Sequence, residues 1–444
     1  MPFSLHCYKI ETQTILKKNI MKKLVLSALI ASSFVFTGCF KDDDTPIIIE
    51  EITIINNNGG GEGGEDCPVV AVTGIILEDT TWTNDNIYQL NQKVVVDNGA
   101  TLTIEAGTIV KGSPGTGSLA SALIIARGSK INAVGTADAP IVFTSTIDNI
   151  ICGQTAGTNL DQDDRGQWGG LIVLGNAPCS FSGDLIEAQI EGIPADDTFG
   201  LYGGSDAADN SGVMQYISIR HGGALIGEGN EINGLTLGGV GNGTVINNIE
   251  IVANVDDGFE FFGGTVNASN LLVWAQGDDA LDIDQAYSGT IDNAVVVLGN
   301  ISDHAFEVDG PEGTGSGSFI LQNVTIIGNS DTENGEYADY RSGATGTTNN
   351  IYAFGFKDSS DVELDNDGVA TNYNDGDLTF GVWEIVLPSG VTDVTNVFVN
   401  KAETVTVVGF GSTASAVTQG ENTVGAATSG LAWTYSNTAG GLGF

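Results

Sequence analysis

One acidic pattern recurs three times in this chain: Asp256-Asp257-Gly258-Phe259-Glu260-Phe261, Asp278-Asp279-Ala280-Leu281-Asp282-Ile283 and Asp303-His304-Ala305-Phe306-Glu307-Val308. The step is 22 residues from Asp257 to Asp279 and 25 from Asp279 to His304, the length of one coil of a parallel β solenoid. Acid is therefore predicted to stack on acid. Like charges on neighbouring strands repel, so such a stack has either a function or an unexplained cost.

The rest of the chain has the same grammar. Gly is 62 and Pro 9 of 444 residues, which suits many brief strands joined by tight turns. Val94-Val95-Val96, Leu102-Thr103-Ile104 and Ile109-Val110 alternate with the turn pairs Asn98-Gly99 and Ala106-Gly107. No sustained helical period follows the first 40 residues. Two polar stretches, 150–165 and 182–212, break the rhythm and are expected to loop out of one face of a domain running from 67 to 444. Trp383, Trp433 and Phe444 are expected to close the last coils.

The N-terminus reads as an address. A basic start at Met21-Lys22-Lys23, a short apolar run from Leu24 to Phe36 and Thr37-Gly38-Cys39 follow one another; the run is too short to span a bilayer and reads as a secretion signal. This resembles the lipobox of bacterial lipoproteins, which implies acylation of Cys39 and makes 1–38 an over-extended start plus signal peptide. Phe40-Lys41-Asp42-Asp43-Asp44 resembles the surface-export signal of Bacteroidota lipoproteins, which implies display on the outer membrane. Residues 39–66 are acidic and Gly-rich and read as a flexible tether. Removing 1–38 leaves 10 basic and 55 acidic side chains, a net charge near −45; phosphate binding needs concentrated Lys and Arg, so a nucleic-acid partner is excluded.

Arg165-Gly166-Gln167-Trp168-Gly169-Gly170-Leu171, Asp256 to Gly264 and Gly277 to Asp284 resemble a group of bacterial secreted or lipid-anchored proteins near the pectate-lyase-like superfamily. That resemblance implies an all-β fold, a single-stranded right-handed parallel β-helix, over about residues 70–440, and says little of activity.

Strand alternation sorts the acidic repeat into rows. With Phe259, Phe261, Leu281, Ile283, Phe306 and Val308 pointing inward, Glu260, Asp282 and Glu307 form one outward row. Phe262, Asp284 and Asp309 form a second, and Asp257, Asp279 and His304 a third at the strand entrance. Coils about 4.8 Å apart cannot hold all these carboxylates ionised without raised pKa values or a cation. Calcium takes six to eight oxygens in loose geometry, and Glu260, Asp282, Asp284, Glu307 and Asp309 are its candidate ligands. Alternatively the Asp residues only accept from turn amides.

The entrance row also resembles the polygalacturonase family of glycoside hydrolases, in which stacked coils present an Asp-Gly, an Asp-Asp pair and a His. Asp257-Gly258, Asp278-Asp279 and His304 fall on those places, which implies an inverting acid and base pair. Val255, Ala305 and Arg341-Ser342-Gly343 depart from that family's pattern, and the basic clamp for a uronate has no match. His221 is expected to be a turn residue satisfied by backbone. Gly238-Gly239-Val240-Gly241-Asn242-Gly243 has no adjacent Lys or helix and reads as a solenoid turn. Trp274, Tyr287 and Phe262 are candidates for stacking sugar rings, with turn packing the alternative. Cys152 and Cys179 flank a polar excursion that a disulfide between them could staple, while which of Cys67, Cys152 and Cys179 is unpaired stays open.

The sequence thus points to a lipid-anchored surface β-helix that binds as an adhesin-like or glycan-capturing module, with calcium the candidate counter-ion of its acidic ladder and a polysaccharide or cell-surface ligand its partner. An inverting glycoside hydrolase and a structural subunit of an outer-membrane complex are the alternatives.

Overall fold

A computed structural model of the chain describes residues 53–55, 67–193, 197–225, 232–332 and 334–444. The segment expected to be a signal, Cys39 and most of the expected tether lie outside these residues. One sheet of 26 strands runs through the described part. Thr53–Ile55, inside the stretch expected to be a flexible tether, forms a strand that pairs antiparallel with Val69–Ile76, and the other pairings in that sheet are parallel. The fold is an all-β parallel β-helix solenoid, as the coil period predicts.

The strands stack in three columns. Short strands such as Leu171–Leu174, Leu235–Gly238, Phe259–Phe262 and Leu281–Asp284 pair in sequence in the first. Longer strands, among them Val245–Val252, Asn267–Trp274 and Thr290–Val297, bend midway and serve the other two. The bend falls on Asn248, Asn270, Asn293, Asn323 and Asn350, each at φ between 56 and 64°. Asn tolerates this left-handed region better than other non-Gly residues. Its amide also bridges coils: Asn293 Nδ2 donates to Asn270 Oδ1 at 2.6 Å and Asn350 Nδ2 to Asn323 Oδ1 at 3.0 Å.

Alternating residues of all three columns fill one core. Phe259, Phe261, Leu281, Ile283, Phe306 and Val308 are buried there with Val273, Val296 and Trp383, and each such side chain contributes about 1.5–3 kcal/mol of apolar transfer.

The chain end does not close the last coils as expected, apart from Trp383. Residues 418–444 run back along the third column. Gly420 N donates to Tyr352 Oη, Ala426 N to Thr325 Oγ1 and Ala427 N to Asn293 Oδ1. The return ends on Glu250, which accepts from Ser436 N and Oγ at 2.6 Å each and from Tyr435 N at 3.1 Å. Arg220, 4.0 Å from Glu250, stacks on the Tyr435 ring. Phe444 packs with Trp274, Leu272 and Val297 over the middle coils, and Trp433 meets Tyr216 edge to face.

The disulfide also differs from expectation. Cys67 bonds Cys152, with Cα atoms 5.8 Å apart, and Cys179 is free. Both bonded cysteines lie against Ile87, Ile109 and Val142 at the N-terminal coils. Cys179 instead approaches Gly263 and Phe262 deeper in the solenoid, and burial pushes its thiol up to about 12.

Candidate functional site

The first column carries the acidic rows. Its register sets Glu260 beside Asp282, Asp282 beside Glu307, Glu307 beside Asp339 and Asp339 beside Glu363. The outward row is therefore five coils long, two more than the sequence repeat revealed. Glu336–Tyr340 and Val362–Leu364 share the alternation, but the step from Asp309 to Arg341 is 32 residues, which hides the period. The second row runs from Phe262 and Asp284 through Asp309, Arg341, Asp365 and Lys401, placed by backbone bonds such as Arg341 N to Val308 O and Lys401 N to Leu364 O.

The entrance row forms a chain of hydrogen bonds. Asp257 Oδ1 accepts from Asp279 N at 2.9 Å, and Asp279 Oδ1 accepts from His304 N at 2.7 Å. The same Asp279 oxygen lies 2.9 Å from His304 Nδ1. Each carboxylate so satisfies an amide of the next coil, as the turn-capping alternative predicts. Burial alone would lower the His304 pKa, but the Asp279 hydrogen bond and the charges of Asp279, Asp303 and Asp339 outweigh it and hold the ring at about 9. Asp278 is exposed beside this chain; partial burial, with the charges of Asp279 and Asp303, raises it to about 6. The four residues suggested by the polygalacturonase resemblance are thus brought together, but His304 is tied to Asp279 rather than free to act as a base.

The outward row divides into a compensated and an uncompensated part. Arg341 pairs with Glu307, with Asp309 at 2.7 Å and with Asp339 at 3.8 Å. Lys401 pairs with Glu363 and, at 3.9 Å, with Asp361. Glu307 and Asp309, expected as calcium ligands, hence already hold an internal cation. Upstream, Asp257, Glu260 and Asp282 each bring an oxygen within 4.8 Å of the others, and each is more than nine-tenths buried. Among the described residues no Lys, Arg or His lies within 4.0 Å of them. Burial first, and then the neighbouring carboxylates, push all three well above the usual range; the same causes raise Asp284 to about 7. Glu260 accepts from Asn233 Nδ2. Among the described residues Asp282 Oδ1 is buried without a hydrogen-bond donor, as are Asp339 Oδ1 and Asp361 Oδ1 on the downstream coils. Asp257, Glu260 and Asp282 can each offer one oxygen to a shared ion.

A family model, the pectate-lyase-like β-helix domain, matches residues 74–437. The chain belongs to the pectate-lyase-like β-helix family. No curated protein and no solved structure matches it.

As in any solenoid, the insertions of this family member shape the faces beside its coils. Those near 182–212 and 310–317 are tied together: Asp184 Oδ1 accepts from Thr314 N at 2.7 Å, and Ser182 N donates to Glu312 Oε2 at 3.2 Å. Glu312 Oε1 accepts in turn from Gln285 Nε2 at 2.8 Å, beside Asp284. Leu185 and Ile186 are exposed at the tip of the first insertion. The stretch near 150–165 flanks the strand entrances, where Arg165 Nε donates to Ala275 O at 2.8 Å. His221 is a buried turn residue whose Nδ1 lies 2.7 Å from Asp164 O, as expected.

None of the three candidate stacking aromatics presents a face to solvent. Phe262 lies under Tyr202, Trp274 packs against Tyr435, and Tyr287 is in the core with its hydroxyl on Val266 O at 2.7 Å. Packing, the alternative reading, accounts for all three.

Proposed function

We propose that this pectate-lyase-like β-helix is a lipid-anchored, surface-displayed binding module that captures a polysaccharide along its first column, with a cation neutralising the upstream carboxylates. One observation carries the reading: Asp257, Glu260 and Asp282 are buried together and, among the described residues, no Lys, Arg or His pairs with them within 4.0 Å, while the coils beyond them pair directly with Arg341 and Lys401. A site that needs an external cation binds something. Capture without turnover is supported by Asp279, which is committed to His304 and not free to activate water. A net charge near −45 favours a neutral or cationic glycan over a polyuronate. Calcium is the free ion that the oxygen set suits; chelation should lower the melting temperature and calcium restore it.

Hydrolysis is the second reading, supported by Asp278, an exposed carboxyl at about 6 beside Asp257 and so able to deliver a proton. Incubation with a panel of neutral and acidic polysaccharides separates the two. Retention without shortening of the chains is expected; cleavage that disappears in Asp279→Asn would replace capture by catalysis.

A further inference from the structure

We propose that the outward face of the third column is a receptor for a chain end, filled here by the molecule's own residues 418–444 and able to take the same segment of a second copy, so that two molecules join end to end. This interaction is separate from whatever the first column binds. In register, Glu384 is followed by Tyr352, Thr325, Val295, Leu272 and Glu250, a span of about 24 Å at the usual strand spacing. This outward row is apolar at its centre, unlike the acidic row of the first column, and carries a carboxylate at each end. Glu384 accepts from Thr423 N and Oγ1 at one end, as Glu250 does from Tyr435 and Ser436 at the other. Between them Leu431, Tyr435 and Phe444 pack with Leu272, Trp274, Val295 and Val297. No residue of 418–444 belongs to the main core, so the segment can leave while the solenoid keeps its interior.

The hinge, the last coil and the charge pattern point to a second copy as the exchange partner. The segment turns back on one tight bend, Glu421 N donating to Thr418 O with Gly420 at φ 83°. Opening that bend sends it straight on, over the last coils of a molecule placed end to end with the first, where the same amides meet the same side chains. Such a molecule is also what the last coil lacks. Among the described strands, Phe398–Asn400 and Ala414–Ala416 each pair on one side only, and Val408, 83% exposed, lies on the loop between them. Open edges of this kind are templates for pairing with another chain. Charge allows the approach: residues 404–444 carry a single charged side chain, Glu421, in a chain with 56 acidic ones, so two strongly acidic molecules repel least where these ends meet.

Equal amounts of light and isotope-labelled full chain, each with p-benzoylphenylalanine in place of Phe444, are unfolded in urea with disulfides intact, mixed, refolded at high protein concentration and irradiated. A dimer is expected by light scattering, and about half of its links from residue 444 to the middle coils should join a light chain to a heavy one, as random pairing of segment and receptor requires. Unmodified wild type and Gly420→Val give the oligomeric state independently of the photoreactive group. Gly420→Val keeps the amide, and its Cβ meets nothing within 4 Å. It disfavours the left-handed bend and should therefore tighten the dimer at least about tenfold. A wild type that stays monomeric overturns the inference, whatever the variant does, and so does a dimer in which every link stays within one chain. An affinity that Gly420→Val leaves unchanged or weakens overturns it as well, because the bend is then not the hinge.

Discussion

Replacing Asp282 by Asn should stabilise the protein, which is unusual for a buried residue on a strand. Asp282, Glu260 and Asp257 present oxygens within 4.8 Å of one another, and at an effective dielectric near 20 each ionised pair at that distance costs about 3 kcal/mol. Protons taken up by the cluster relieve part of this, and an unsatisfied buried acceptor costs a further ~1–3 kcal/mol. Asn has nearly the same shape, removes one charge and supplies an N–H donor to its neighbours. A net gain of about 1–3 kcal/mol is expected at pH 8 in EDTA. The gain should depend on pH with a definite sign. Because the folded pKa of Asp282 is raised, the ionised carboxyl destabilises the fold progressively as pH climbs from the ordinary Asp range through the raised value. At about pH 4.5, where the folded wild type holds the proton and ordinary Asp is only starting to take it up, the gain should nearly vanish. Urea unfolding midpoints of wild type and Asp282→Asn at the two pH values measure it. A loss of stability at pH 8, or an equal gain at both, would refute the electrostatic account of the row.

Two further expectations test other parts of the structure. The His304 ring should titrate near 9 by carbon-detected NMR and fall toward its ordinary range in Asp279→Asn; since its folded pKa is raised, its stabilising contribution is complete below about 6.5 and is lost as pH rises through 9. Glu250→Ala removes the acceptor of Ser218, Tyr435 and Ser436 and leaves Arg220 buried without its partner, so a loss of about 3–5 kcal/mol is expected in urea unfolding, with rapid proteolysis of the chain end; a change below about 1 kcal/mol would show that the returning segment is not held there.

The two kinds of information separate cleanly at particular residues. Phe259, Glu260, Phe261 and their counterparts on the next two coils were legible because strand alternation is local: once the period is two, inward and outward faces follow from the sequence alone. The same regularity showed that Asp257, Asp279 and His304 share a row. Asp339 and Glu363 belong to the same ladder but were missed, since the 32-residue step to their coil depends on a loop whose length nothing local constrains. The Asn residues at the bends were likewise visible one by one, and only their stacking and positive φ give them a common role.

What the sequence by itself determined is the coil, the inward core and the existence of an acidic face, all consequences of period and alternation. Tertiary structure decided which charges have partners. Arg341 comes to rest on Glu307 and Asp309, and Lys401 on Glu363, so among the described residues the part of the ladder without a direct ion pair shrinks to Asp257, Glu260, Asp282 and Asp284. It also joined Cys67 to Cys152 and drew the chain end back to Glu250 across 186 residues. These contacts lie between segments far apart in sequence, and their geometry depends on the summed lengths of every coil and loop between them, which no local pattern encodes.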